Sequence, residues 1–181
     1  MPHDIPTPWD AFLLDLDQLL DERVEFHCLG GFVMAMLYGL KRPTADVDVL
    51  AIKPRVDLTP RAGKGSPLHR KHGVYLDVVT VLEAYPEDYE QRLTELLPGA
   101  FNRLRLRALD PYDLVLTKLR NSPKDREDVY HLADAVPLDI DILRSRYDEM
   151  RPYLGNPTRE DLTLRLWTEA IEERRRAKRR P

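Results

Sequence analysis

Gly30-Gly31-Phe32-Val33-Met34-Ala35-Met36-Leu37-Tyr38-Gly39-Leu40-Lys41-Arg42-Pro43-Thr44-Ala45-Asp46-Val47-Asp48-Val49-Leu50-Ala51-Ile52 is the stretch on which the reading of this chain turns. A glycine pair opens a nearly all-apolar helix that ends near Gly39. A turn at Arg42-Pro43-Thr44 follows, and then a strand with two aspartates one residue apart. Side chains alternate across a strand, so Asp46 and Asp48 are predicted to share one face, with Val47, Val49 and Ala51 on the other. Two neighbouring carboxylates repel each other and are costly to desolvate. A multivalent cation removes that cost, and Mg²⁺ takes one or two carboxylates together with phosphate oxygens. Glycines at a helix N-terminus let a phosphate approach the backbone N–H groups, where the helix dipole also favours an anion. Together these parts point to metal-assisted phosphoryl or nucleotidyl transfer.

Outward from this stretch, Val24–Leu29 alternates as a strand with Val24, Phe26 and Cys28 on one face. Upstream, Thr7 to Arg23 has helical periodicity, with Thr7 as N-cap and Pro8 at the first helical position. Lys53 to Gly73 holds three prolines, three glycines and the basic residues Lys53, Arg55, Arg61, Lys64, Arg70 and Lys71, and reads as a loop at the edge of the site. His69 and His72 lie in it; without a third ligand they are a weak metal signal. Val74 to Leu82 is a β-type run broken by one charge, Asp77. Either Asp77 caps a local turn, or it joins Asp46 and Asp48 as a third acidic group, which the upstream pair favours.

Pro86 to Leu97 reads as helical. Leu104 to Arg107 alternates as a strand with Leu104 and Leu106 inward and the arginines outward. Helices follow from Asp110-Pro111, from Lys124, from Asp139 to Tyr153, and from Arg159 after an Asn156-Pro157-Thr158 cap. The fold class is therefore α+β, a mixed sheet flanked by helices, with a core at 1–109 and a helical region at 110–181.

The chain has 181 residues, 43% of them hydrophobic and 33% charged, and a net charge of −3, the composition of an ordinary globular protein. The single cysteine, Cys28, rules out a disulfide framework or a cysteine-rich zinc site within the chain and reads as a buried small hydrophobe. No apolar run approaches the roughly 20 residues that span a bilayer. The N-terminus has neither the basic start nor the apolar segment of a signal peptide, so the expected location is the cytoplasm. The last ten residues carry six Arg or Lys, either a solvated helix end or a contact for RNA or an acidic partner.

Gly30-Gly31, Arg42-x-Thr44-x-Asp46-Val47-Asp48 and the isolated Asp77 resemble the nucleotidyltransferase superfamily with a polymerase-β-like core. Leu109-Asp110-Pro111-Tyr112-Asp113-Leu114-Val115-Leu116-Thr117-Lys118-Leu119, followed by Asp125-x-x-Asp128, is similar to the AbiEii-type nucleotidyltransferase toxins of type IV toxin–antitoxin modules. Gly30-Gly31 stands where the superfamily commonly has Gly-Ser, and Lys118-Leu119 precedes Asp125 by one residue more than in the toxins. The resemblance implies an enzyme using Mg²⁺ and an NTP. In it Asp46, Asp48 and Asp77 hold metal, while Gly30, Gly31, Arg42 and Lys118 bind the nucleotide. Asp125 and Asp128 would then orient Lys118 or act in catalysis; the competing reading is helix capping. The implied acceptor is RNA, tRNA in particular, or a protein hydroxyl, with a cognate antitoxin as further partner. A fold that has lost its chemistry and serves as a binding module is the alternative, as is a non-catalytic cation site.

Overall fold

The structure, a computed structural model, describes residues 6–42, 44–79, 87–119 and 123–178. The chain divides into two compact units, one of Met1–Thr80 with Gln91–Leu109 and one of Val81–Glu90 with Asp110–Pro181.

The first unit is built on a mixed five-stranded sheet. Its strands are β1 (Val24–Cys28), β2 (Asp46–Lys53), β3 (Tyr75–Val78), β4 (Thr94–Leu96) and β5 (Leu104–Ala108), in the order β3-β2-β1-β5-β4. β1 runs parallel to β5 and antiparallel to β2, β3 runs parallel to β2, and β4 runs antiparallel to β5. The architecture is the α+β class read from the sequence. Register explains the two faces. Val24, Phe26 and Cys28 pair with Leu104, Leu106 and Ala108, and Val49 faces Cys28. All of these are buried, so this is the core face. The other face carries Glu25 and His27 beside Arg105 and Arg107, then Asp46 and Asp48 beside Tyr75 and Asp77.

Simple alternation fails at one place. His27 pairs with Ala51, but Cys28 pairs with Val49, so Leu50 is the extra residue of a β-bulge. Ala51 therefore does not share the face of Val47 and Val49, as strict alternation had it; the bulge inverts the side on which the rest of β2 points.

Helix α1 (Trp9–Leu19) follows Pro8, which occupies the N-cap position without a side-chain cap bond, one residue later than the Thr7 cap read from the sequence. Its apolar stripe of Phe12, Leu13 and Leu16 is fully buried. Helix α2 (Gly30–Tyr38) ends at Gly39, whose φ of +68° is the left-handed cap that glycine adopts without a Cβ penalty. Trp9 meets Phe32 edge to face at 5.2 Å, tying α1 to α2. Asp17 is the unexpected anchor of α1. Its carboxylate accepts the N–H groups of Asn102 (3.0 Å), Arg103 (2.7 Å) and Leu104 (2.7 Å), fixing the start of β5.

Two segments depart from the sequence reading. Residues 53–73 are not a loop throughout. They contain α3 (Thr59–Ala62) and α4 (Pro67–His72), because Ser66 caps α4 by accepting the His69 N–H, Pro67 starts it and Gly73 ends it at φ +70°. The expected helix at 86–97 is instead a 3₁₀ turn at Glu87–Arg92 followed by the edge strand β4. The expected strand at 74–82 is confirmed over Tyr75–Val78, and its end at 80–82 lies outside the described residues, as does the turn at 121–122.

The second unit is helical: α5 (Pro111–Thr117), α6 (Pro123–Ala135), α7 (Ile140–Met150) and α8 (Thr158–Lys178). The caps read at Asp110 and Asn156 are in place, and Asp139 supplies a third. Asp110 accepts the Asp113 N–H, Asp139 accepts those of Asp141 and Ile142, and Asn156 accepts that of Thr158. The expected helix at 139–153 closes with a 3₁₀ turn at Arg151–Tyr153. Leu116, Val129, Leu143, Trp167 and Ile171 are buried. The basic end of α8 is used within the fold: Arg174 and Lys178 both bind Asp134, Arg175 donates to the Leu138 carbonyl, and Arg176 sits 3.7 Å from Glu172. Among the described residues no helix is long and apolar enough to cross a membrane.

Candidate active site

Asp46 and Asp48 leave β2 on its polar face, and Asp77 stands directly across from Asp48 on β3. One ligand oxygen from each of the three carboxylates lies within 4.8 Å of the others. Asp46 and Asp48 are half-buried and Asp77 is exposed. The local backbone holds this arrangement firmly. The Leu29 N–H donates to the Asp48 carbonyl at 3.0 Å, and the N–H groups of Tyr75 and Val79 donate to the carbonyls of Ala45 and Val49.

Gly30 completes the cluster in a way the sequence did not reveal. Its φ is +68°, and a Cβ at this position would lie 1.8 Å from Asp48 Oδ2. The Asp48 carboxylate thus occupies the space that any other residue would fill at the first turn of α2. Gly31 differs: a Cβ there would meet the Thr44 side chain at 3.2 Å. Thr44 donates its hydroxyl to Asp46 Oδ1. The donor set is oxygen-only, three carboxylates on one face beside a wall without side chains. Such hard anionic oxygens suit Mg²⁺.

Tyr75 was not singled out from the sequence, although it is two residues from Asp77 and so shares its face. Its hydroxyl is held above its ordinary pKa by burial and then by the charges of Asp46, Asp77 and Asp48, which places it in the field of the cluster. Cys28, on the core face, is buried. Burial, and next the Asp48 charge, push its thiol up, so it is an inert packing residue as expected. Elsewhere on the polar face the charges pair among themselves. His27 Nε2 is 2.9 Å from Glu25 Oε1, and Arg107 is 3.5 Å from Glu25 and donates to the Leu93 carbonyl.

Arg42 and Thr44 line a cavity of about 760 Å³, together with Trp9, Ala35, Leu40 and Lys41. The histidines of α4 are engaged apart from each other. His72 Nε2 lies 2.7 Å from Asp15 Oδ2, and His69 Nδ1 accepts the Gly65 N–H at 2.9 Å.

In the second unit, Lys118 at the end of α5 is held by α6. Its Nζ donates to Asp128 Oδ2 at 2.8 Å and lies 3.5 Å from Asp125 Oδ1. The Asp128 side chain is fully buried, and that of Lys118 is 10% exposed. Asp125 and Asp128 thus set the position of Lys118. The capping alternative describes Asp125 only in its place in the first turn of α6.

A protein-family model described as a nucleotidyltransferase of unknown function (DUF6036) matches residues 11–175. The chain belongs to this family. The match spans both units, so the helical region is part of the family's own architecture and not an addition to it. No curated protein and no solved structure matches the chain. The family description agrees with the superfamily read from the sequence and is silent on the toxin subgroup.

Proposed function

We propose that the protein is a Mg²⁺-dependent enzyme that moves a nucleotide from an NTP onto an acceptor hydroxyl. The observation that carries this reading is the convergence of Asp46, Asp48 and Asp77 within 4.8 Å beside Gly30. When bound by these three carboxylates, Mg²⁺ supplies charge neutralisation at the triphosphate and at the attacking oxygen. The chain's own residues do the rest. Gly30 and Gly31 open the N-terminus of α2 to phosphate oxygens. The acceptor oxygen bonds to the α-phosphorus as pyrophosphate leaves, and Asp77 accepts the proton of the incoming hydroxyl. Arg42, on the wall of the neighbouring cavity, and Lys118, set by Asp125 and Asp128, are the cations proposed for the nucleotide.

The acceptor proposed is RNA, with tRNA the first to test, and a role as the toxin of a toxin–antitoxin pair follows from the resemblance described above. The deciding experiment incubates the protein with each α-³²P-labelled NTP, Mg²⁺ and total RNA, with Asp48→Ala as control. Label in RNA supports the proposal, and label in protein moves the acceptor to a protein hydroxyl. No label with any NTP, against a well-folded sample, leaves the fold as a binding module. Growth arrest on expression, relieved by Asp48→Ala, is the outcome expected of a toxin.

A further inference from the structure

Four Lys or Arg lie at 59–72, from the start of α3 to the end of α4, and three of them have partners within the fold. Arg61 donates to the Leu19 carbonyl at 3.1 Å, Arg70 to the Gly65 carbonyl at 2.5 Å, and Lys71 to Asp15 at 2.5 Å. Lys64 differs. Its ammonium lies 5.8 Å from the centre of the Tyr75 ring, and it has no carboxylate partner among the described residues.

This placement is fixed by the chain around it. Lys64 stands between Gly63, where a Cβ would lie 2.7 Å from the Thr59 carbonyl, and Gly65, whose φ is +83°. Gly65 is tied to His69 by its N–H, and the His69 ring meets Tyr75 edge to face at 5.2 Å. Tyr75 in turn pairs with Asp46 across the strands. Side chains directly opposite on one face of a sheet are neighbours at about 5 Å. A tight, glycine-framed turn therefore presents one uncommitted cation beside three converged carboxylates, and an aromatic ring holds it there.

Its side of the site is informative. Along the sheet the order is β1, β2, β3, with Gly30 following β1 and Tyr75 on the edge strand β3. Gly30 and the Lys64–Tyr75 pair thus lie on opposite sides of the Asp46–Asp48 pair of β2: Gly30 borders Asp48, and Tyr75 stands across from Asp46 on the strand that also carries Asp77. In an in-line displacement the leaving and attacking oxygens also lie on opposite sides of the phosphorus. With the triphosphate at the glycines, the attacking molecule comes in past Tyr75. A protein hydroxyl brings no obligatory charge for a lysine to meet, whereas every acceptor nucleotide brings a phosphate.

Building on the nucleotidyl-transfer reading above, we propose that Lys64 binds a backbone phosphate of a single-stranded polynucleotide acceptor, and that Tyr75 is the positioning residue that holds it there. The test measures two affinities on the same full-length variants. One is the binding of a 5′-fluorescein-labelled, mixed-sequence 12-nucleotide RNA, read by anisotropy over a salt series. The other is the binding of a fluorescent ribose-labelled ATP or GTP in Mg²⁺. Lys64→Ala is expected to weaken RNA binding roughly three- to tenfold and to lower the salt slope by about 0.7, with nucleotide affinity unchanged. Lys64→Arg and Tyr75→Phe retain RNA binding, and Tyr75→Leu loses it to the same extent as Lys64→Ala. The proposal is overturned if Lys64→Ala leaves RNA binding unchanged, weakens RNA and nucleotide alike, or if the wild type binds no RNA. Failure of the underlying reading shows separately, as nucleotide binding in Mg²⁺ that Asp48→Asn leaves intact.

Discussion

Replacing Gly30 with alanine removes no acid, no donor and no cation, yet it is expected to disable the site. The added Cβ would lie 1.8 Å from Asp48 Oδ2, where real contacts of this kind do not fall under 3.0 Å. The carboxylate must retreat by about 1 Å, a misplacement that costs on the order of 10²-fold in rate when it befalls a catalytic group. The backbone adds a second penalty, since a φ of +68° costs an alanine about 1–2 kcal/mol. At roughly 2–4 °C per kcal/mol, the melting temperature should fall by about 2–8 °C. Gly31→Ala is the control one residue away. It needs only a few tenths of an ångström of give from Thr44, and alanine is the better helix former, so its stability should stay within about 1 kcal/mol of wild type. The assay is thermal unfolding with and without Mg²⁺, followed by transfer activity on the folded protein. Gly30→Ala should lose the Mg²⁺-induced rise in melting temperature that Gly31→Ala keeps. Because the loss passes through Asp48, the double variant Gly30→Ala/Asp48→Asn should be no less active than Asp48→Asn alone. The reasoning fails if the two glycine variants behave alike, or if Gly30→Ala keeps the full Mg²⁺ response.

Other outcomes can be checked with the same preparations. Asp77→Asn removes two like-charge pairs within 4.8 Å, each worth roughly 1 kcal/mol in a water-like dielectric. The metal-free protein should therefore melt a few degrees higher while its response to Mg²⁺ shrinks. Asp17→Asn removes a buried charge that accepts three backbone N–H bonds and should cost about 2 kcal/mol or more in a denaturant titration. Burial pushes the Asp17 carboxyl up, but the N–H groups of Leu104, Arg103 and Asn102 outweigh it and hold the pKa below the ordinary value. A depressed folded pKa gives stability that is present above the unfolded value near 3.9 and is lost as pH falls through the folded one. Acid unfolding below about pH 4 should accordingly be blunted in Asp17→Asn. Lys118→Ala removes one cation from the buried Asp128 carboxylate and should lower the denaturant midpoint. Activity lost in that variant therefore counts only when measured on the folded fraction.

Much of this architecture could be read from local chemistry. Alternation at 46–49 and 104–108 placed the acidic pair and the inward leucines. Asp110 and Asn156 announced their helices because an N-cap is a local interaction. The third acid was legible for a different reason: a lone charge in a β-branched run needs a partner. Segments decided by contacts distant in sequence were not legible. Asp17 falls on the buried stripe of α1, four residues after Leu13, but the groups that satisfy its charge are invisible until its partners at 102–104 are known. Gly30 reads as room for a phosphate, while its nearest neighbour is Asp48 from the following strand. At 53–73 proline and glycine read as breakers, yet Ser66-Pro67 and Gly73 are also start and stop signals for a short helix. β4, at three residues, is too short for any periodicity to show.

The bulge at Leu50 has a consequence for how this strand can change in length. Along β2, removing Val47 or Asp48 while Val49 stays opposite Cys28 would turn Asp46 inward, putting its carboxylate into hydrocarbon. Leu50 is the exception. Without it, Val49 would follow Cys28 and Ala51 would follow His27 in unbroken antiparallel order, and every inward and outward assignment would stand. Natural variants that shorten this strand by a single residue are thus expected to lose it at that point, which makes the bulge the hinge between a part of β2 bound by chemistry and a part bound only by packing.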